Sequence, residues 1–73
     1  MVKNRLKYWR HQLLIDTQTE FAKLLGVSHQ RVSLWERQEE QPTLEMLIKI
    51  WFRIKENVPT INLQDLIEYE NLE

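Results

Sequence analysis

Residues 17–37 read TQTEFAKLLGVSHQRVSLWER and carry the clearest structural signals in the chain. Thr17 precedes an apolar run, and Glu20 stands three positions after Thr17, which is the pattern of a capping box at a helix N-terminus. Gly26 can adopt the left-handed conformation that ends a helix, and Ser28 supplies a second N-cap. The stretch therefore predicts two short helices joined by a tight turn.

The spacing of three small residues within this stretch is typical of a helix-turn-helix. Ala22, Gly26 and Val32 stand at positions five, nine and fifteen of a motif that spans residues 18–37. Ala22 allows the two helices to cross closely, Gly26 allows the sharp turn, and Val32 closes the core beneath the crossing. Four further residues are predicted to complete this core: Phe21, Leu25, Val27 and Trp35.

Three more helices are predicted outside the motif. One apolar face of the first, over residues 2–14, is formed by Val2, Leu6, Trp9 and Leu13. A fourth helix begins after Thr43 and runs to about residue 55, and a short fifth one follows Asn62, separated from the fourth by Pro59. The predicted fold class is all-α, a compact five-helix bundle forming a single domain over residues 1–73.

The fourth helix is apolar over more than half of its circumference, so it must be covered on more than one side. The C-terminal segment, a second subunit, or both could provide that cover. Residues 44–70 are the candidate dimerisation segment, with Ile54 and residues 61–69 as candidate contacts. Three tryptophans lie on inward helix faces, and we expect them to be core residues rather than an aromatic ligand pocket: Trp9, Trp35 and Trp51.

The composition argues against several classes of function. The chain has 73 residues, 42% of them hydrophobic and 29% charged, which indicates a small globular domain. It has no cysteine and one glycine, which excludes disulfides, thiol nucleophiles and a glycine-rich phosphate loop. No apolar run is long enough to cross a bilayer, and no signal-peptide core is evident.

Catalytic and metal-binding patterns are also missing from the sequence. No nucleophile, base and orienting acid stand at a recognisable spacing. The two histidines, His11 and His29, are 18 positions apart and have no accompanying carboxylate cluster. We therefore predict no catalytic residue, no metal site and no cofactor.

The charges are distributed unevenly along the chain. Residues 1–37 contain seven Lys or Arg and three Asp or Glu, whereas residues 38–73 contain three and eight. A basic half favours a polyanionic partner, although solvation of the surface explains such charges equally well.

Residues 17–37, followed by Pro-Thr-Leu-Glu at 42–45, closely resemble the Xre-type helix-turn-helix family, the Cro- and lambda-repressor-like regulators of bacteria and phages. The resemblance covers residues 6–54. It implies a DNA-binding transcriptional regulator, a repressor, that acts in the cytoplasm at the nucleoid. It also implies a homodimer on a palindromic operator, with the third helix in the major groove. No membrane or small-molecule partner is expected.

The resemblance also assigns individual residues. Base edges would be contacted by His29, Gln30, Ser33 and Leu34. Phosphates would be contacted by Thr17, Gln18, Lys23, Arg31 and Arg37. Gln30 suits adenine and Leu34 a thymine methyl group, although Leu34 could also be an ordinary exposed or half-buried leucine, and each cation a solvated charge. Arg10 and Glu36 match a structural ion pair of the family.

The loop after the third helix departs from the family pattern. Gln38 stands where glycine is common, and Glu39 and Glu40 stand where basic residues are common. Two carboxylates near a DNA backbone should weaken binding. Together with the apolar fourth helix, the acidic second half keeps an alternative open: a protein-interaction module, or the antitoxin of a toxin–antitoxin pair, built on the same fold.

Overall fold

Four α-helices make up half of residues 1–70, the part of the chain that the computed structural model describes. They are α1 (Leu6–Gln12), α2 (Gln18–Leu25), α3 (His29–Glu36) and α4 (Leu44–Lys55). A single 3-10 turn over Leu63–Leu66 follows, and two strands, β1 (Val2–Asn4) and β2 (Ile67–Tyr69), lie at the two ends. None of the helices within residues 1–70 combines the length and apolar character needed to span a bilayer.

The two ends pair as an antiparallel sheet, so the prediction of an all-α, five-helix bundle was wrong at both termini. Val2, assigned above to the first helix, lies opposite Tyr69 in the sheet. The predicted fifth helix completes only the 3-10 turn before the chain becomes extended. The Arg5 N–H donates to the Leu66 carbonyl at 2.7 Å, so the pairing satisfies backbone groups just beyond the strand. Strands of three residues are too short to show periodicity in a sequence.

An ion pair beside this sheet links β1 to the residue that directly follows β2. Lys3 Nζ lies 2.9 Å from a carboxylate oxygen of Glu70. The hydrogen bond and the opposite charge raise the pKa of Lys3 and lower the pKa of Glu70. The small stabilisation from this exposed pair is therefore complete between the ordinary pKa values of the two groups. It is lost as the pH falls through the lowered pKa of Glu70 or rises through the raised pKa of Lys3.

Side-chain caps fix where three of the helices begin, as predicted. The hydroxyl groups of Thr17, Ser28 and Thr43 accept from backbone N–H groups three residues later, at 3.1, 3.3 and 3.2 Å. Gly26 ends α2 with a φ of 73°, in the left-handed region that favours glycine. These local signals hold α2 and α3 at a fixed angle to one another.

The core lies where α2, α3 and α4 meet, and α1 and the C-terminal segment cover it. Its fully or nearly fully buried members are Leu6, Phe21, Ala22, Leu25, Val32, Trp35, Ile50, Ile54, Ile61 and Leu66. Trp9 and Trp51 pack partly buried against this cluster, and their ring N–H groups donate to the carbonyls of Asp65 and Ile61. The three tryptophans are thus packing residues, as predicted.

Substitution of Ala22 by leucine should destabilise the domain by about 1–3 kcal/mol, because the added side chain overfills the crossing of α2 and α3. Ala22 is buried in the core, whereas its neighbour Lys23 is exposed. Urea denaturation followed by tryptophan fluorescence measures the change, with Lys23→Leu as the control. Equal midpoints for the two variants would contradict the assignment of Ala22 to the crossing.

Candidate nucleic-acid interface

Helix α3 has one face in the core and its N-terminal end open to solvent. Val32 and Trp35 are buried, and they anchor the helix against α2. His29 and Gln30, at the N-terminal end, are exposed. Their side chains are free to meet a ligand that approaches the tip of the helix.

The other two predicted base contacts lie in less open positions. Ser33 and Leu34 are both half-buried. The backbone N–H groups of Glu39 and Glu40 donate to the Leu34 carbonyl at 3.0 and 3.4 Å, so the following chain folds back onto the end of the helix. The structure thus places His29 and Gln30 together at an open helix end, with Ser33 and Leu34 a turn further along.

A buried ion pair joins α1 to the C-terminal end of α3, as the family resemblance implies. Arg10 Nε donates to Glu36 Oε2 at 2.8 Å and Arg10 Nη2 to Oε1 at 3.1 Å, which is a bidentate geometry. The two side chains are only 10% and 3% exposed. Arg10 Nη1 also donates to the carbonyls of Ile15 and Asp16, so one guanidinium fixes the end of α3 and the turn before α2.

Gln18 extends this network from the first turn of α2. Its Nε2 donates to Glu36 Oε1 at 3.1 Å, so it braces α3 in the way the resemblance implies. Thr17 is exposed immediately before it, at the N-terminus of α2. The start of α2 and the C-terminal end of α3 are therefore joined by one hydrogen-bond network.

Arg31 and Arg37, two of the predicted phosphate contacts, each form an ion pair with a carboxylate of the same chain. Arg31 Nη1 lies 3.0 Å from Glu40 Oε1, and Arg37 Nη2 lies 3.1 Å from Glu39 Oε2. All four side chains remain about half exposed. The sequence showed that the loop over residues 38–41, called the acidic loop below, departs from the family pattern, but it did not indicate these ion pairs. The third predicted cation, Lys23, is exposed on α2.

Asn4 fixes the acidic loop to the N-terminal strand, and sequence reasoning missed this residue. Its buried side-chain amide donates to the Trp35 carbonyl and to Gln41 Oε1, both at 2.8 Å. Gln38 Nε2 donates back to the Asn4 carbonyl at 3.0 Å. Gln38 has a φ of 59°, which explains why glycine is common there, and its side-chain hydrogen bonds offset the cost of that conformation.

Helix α2 is capped at its start, carries a small residue where it packs on α3, and ends at a left-handed glycine. The N-terminal tip of α3 stays exposed. Two short helices joined in this way define a helix-turn-helix domain. The chain belongs to the Xre-type helix-turn-helix family, and residues 6–50 match the family model described as "Helix-turn-helix". The resemblance found in the sequence is thereby confirmed.

A curated relative extends this similarity to nearly the full length of both chains. It is an uncharacterized HTH-type transcriptional regulator of Methanocaldococcus jannaschii, 37% identical over 74 residues, with 96% of this chain and 97% of the relative covered.

Proposed function

We propose that this protein binds duplex DNA sequence-specifically through α3 and represses transcription in the cytoplasm. The observation that carries the proposal is the exposed N-terminal tip of α3, on a helix whose C-terminal end is held by the Arg10–Glu36–Gln18 network. Membership of the family and a relative named as a transcriptional regulator support it. Selection of bound duplexes from a random pool at physiological salt tests it, because a DNA-binding repressor would enrich a defined and two-fold symmetric site.

Four side chains on α3 are proposed to face the bases of the major groove. They are His29, Gln30, Ser33 and Leu34. Gln30 is exposed near the helix tip, and its amide can pair with adenine N6 and N7 in a bidentate way. His29 can bond a purine N7, and the half-buried Leu34 can offer an apolar edge to a thymine methyl group.

Replacement of Gln30 by alanine should cost about 1–3 kcal/mol on the selected site and remove the preference at one base position. The physical reason is the loss of both amide hydrogen bonds, which no other side chain at the tip can replace. A panel of single-base variants of the site, titrated by fluorescence anisotropy, measures the change. Gln64→Ala, at an exposed glutamine far along the chain, serves as the control. An unchanged base profile would remove Gln30 from the contact set.

The phosphate contacts are proposed to lie on either side of this tip. They are Thr17, Gln18, Lys23, Arg31 and Arg37. The first backbone N–H groups of α2, beside Thr17 and Gln18, have no carbonyl partner within the helix itself, which suits an anionic oxygen. The cations supply the sequence-independent attraction that makes binding sensitive to salt.

Substitution of Arg37 by alanine should weaken binding to all duplexes by a similar factor and lower the slope of log K against log salt by about one. The reason is that one fewer phosphate is neutralised, so fewer counterions are released. Titrations over a series of salt concentrations measure the slope, with Lys55→Ala at the far end of α4 as the control. A loss confined to the selected site would show a base contact instead.

The functional unit is proposed to be a homodimer joined through α4. Leu44, Ile48 and Phe52 stand four residues apart and are 68%, 37% and 59% exposed, which forms an apolar stripe on this helix. A two-fold axis through the stripe would pair two copies and present two α3 helices to half-sites about 34 Å apart on a palindromic operator. Within the segment 61–69, Ile61 and Leu66 are buried in the chain's own core, so we do not propose these two as contacts between copies.

The same apolar stripe favours a second candidate function, a protein-interaction module or an antitoxin. A folded partner could cover the stripe in place of a second copy. The two candidates differ in their DNA binding. Weak binding to any duplex at low salt would favour the interaction module, whereas steeply salt-dependent binding to a palindrome would favour the regulator.

A further inference from the structure

The acidic loop, defined here as Gln38–Glu39–Glu40–Gln41, presents two carboxylates to the two arginines that flank the candidate interface. Glu40 contacts Arg31 at 3.0 Å and Glu39 contacts Arg37 at 3.1 Å. Arg37 has a further bond from its Nε to the Ser33 carbonyl at 3.3 Å, which holds it along α3. Each guanidinium that could neutralise a phosphate therefore already has an anionic partner within its own chain.

The loop is held in place, so the carboxylates remain close to the arginines. The N–H groups of Glu39 and Glu40 both donate to the Leu34 carbonyl at the end of α3. Gln38 and Gln41 are tied to the buried Asn4, and Gln41 Nε2 donates to Gln38 Oε1 at 2.8 Å. A loop fixed at both ends to the protein core keeps its charged side chains at a high effective concentration near their partners.

We propose that Glu39 and Glu40 act as an intramolecular competitor for DNA phosphate and so limit the affinity of the domain for any duplex. This inference rests on the proposed function. A phosphate that contacts Arg31 or Arg37 meets a guanidinium whose charge a carboxylate already partly neutralises, so it competes with that carboxylate for the same cation. Both ion pairs are exposed, and exposed pairs are weak, so the competitor lowers affinity by a modest factor and does not abolish binding.

The competition also has a defined salt dependence. Exposed ion pairs weaken as salt screens them, so the competitor loses strength at high ionic strength. The number of phosphates contacted stays the same, because the arginines reach the DNA whether or not the carboxylates are present. Removal of the carboxylates should therefore raise affinity most at low salt.

The first measurement compares Glu39→Gln/Glu40→Gln with a control of equal charge change, Glu45→Gln/Glu68→Gln, at two exposed carboxylates on α4 and β2 that are not on the apolar stripe. Titrations against the selected duplex and a scrambled duplex should show about three- to tenfold tighter binding of both by the loop variant at low salt. The control should change by less than about twofold, since neither of its carboxylates is the one paired with Arg31 or Arg37. Equal gains for the two variants would overturn the inference.

The second measurement places the loop variant in a background that lacks the two arginines, Arg31→Gln/Arg37→Gln. A competitor acts only through the groups it occupies, so the gain should disappear in this background. A gain of the same size would show that the carboxylates act by repelling DNA through space, and it would overturn the inference while leaving the proposed function intact. Failure of the wild-type chain and all variants to bind any duplex at low salt would overturn both.

Discussion

Arg10→Ala should lower the free energy of unfolding by about 3–5 kcal/mol, the largest loss expected from any single change at the interface. The substitution leaves Glu36, which is 3% exposed, as a buried carboxylate that has lost its bidentate partner. It also removes the two bonds that the guanidinium makes to the carbonyls of Ile15 and Asp16. Domains of this size have a total stability of roughly 4–11 kcal/mol, so much of the population should unfold at physiological temperature. Urea denaturation with circular dichroism measures the change.

Two comparisons separate the cost of an unpaired buried charge from the value of the pair itself. Arg10→Met/Glu36→Leu replaces both partners by apolar side chains and should recover much of the lost stability. Arg31→Ala breaks the exposed pair with Glu40 and should cost less than about 1 kcal/mol. If Arg10→Ala costs no more than Arg31→Ala, then the buried ion pair does not hold α3 in place.

The central part of this fold could be predicted from the sequence because its signals are local. The caps at Thr17, Ser28 and Thr43 each involve a backbone group three residues away, and Gly26 needs only its own φ angle. A pattern of this kind is complete within one turn of helix. The boundaries of α2, α3 and α4 are therefore close to those expected.

The ends could not be predicted because their structure depends on contacts between distant residues. Val2 pairs with Tyr69, and neither strand is long enough to show an alternating pattern. Val2 also fits the apolar stripe of the helix that follows it, which is why the first helix was predicted to begin too early. Tertiary pairing outweighs local pattern at such positions.

In the candidate site, too, one feature could be predicted from the sequence and another could not. The Arg10–Glu36 pair was available from the family resemblance, and the structure confirms its geometry. The pairing of Arg31 with Glu40 depends on a chain reversal that requires Gln38 at a φ of 59° and an anchor at Asn4. Charge signs and spacing alone do not specify such a reversal, so the sequence showed the acidic loop without showing what it contacts.

For helix α4, the predicted extent of the apolar surface was correct, but the residue chosen from it as a contact between copies was wrong. Its wide apolar surface was predicted to need cover from more than one side, and the C-terminal segment does pack against it through Trp51 and the Ile61 carbonyl. Ile54, however, was expected at a contact between two copies, and it is fully buried in the core. The apolar residues of α4 that remain exposed are those of the stripe, with Phe52 at its C-terminal end.

The second large effect is expected when a negative charge is placed on α4, and the result depends on whether the buried or the exposed face carries it. Ile54→Glu should unfold the domain, because it removes a buried side chain worth about 2–5 kcal/mol and leaves a carboxylate in the core without a partner. Phe52→Glu should leave the fold intact, since Phe52 is 59% exposed, and should convert a dimer into a monomer. Circular dichroism measures the first effect and analytical ultracentrifugation the second.

The loss of the dimer should have a large consequence for DNA binding. Two linked half-site contacts reinforce one another through their effective concentration, so the Phe52→Glu monomer should bind a palindromic duplex about 100-fold more weakly or worse. Its affinity for a single half-site should change little, because α3 is untouched. Lys49→Glu places the same charge on the same helix at an exposed position that is not on the stripe, and it serves as the control for assembly. A wild-type chain that is monomeric both free and on the palindrome, or a Phe52→Glu variant that still dimerises, would remove the stripe as the contact between copies.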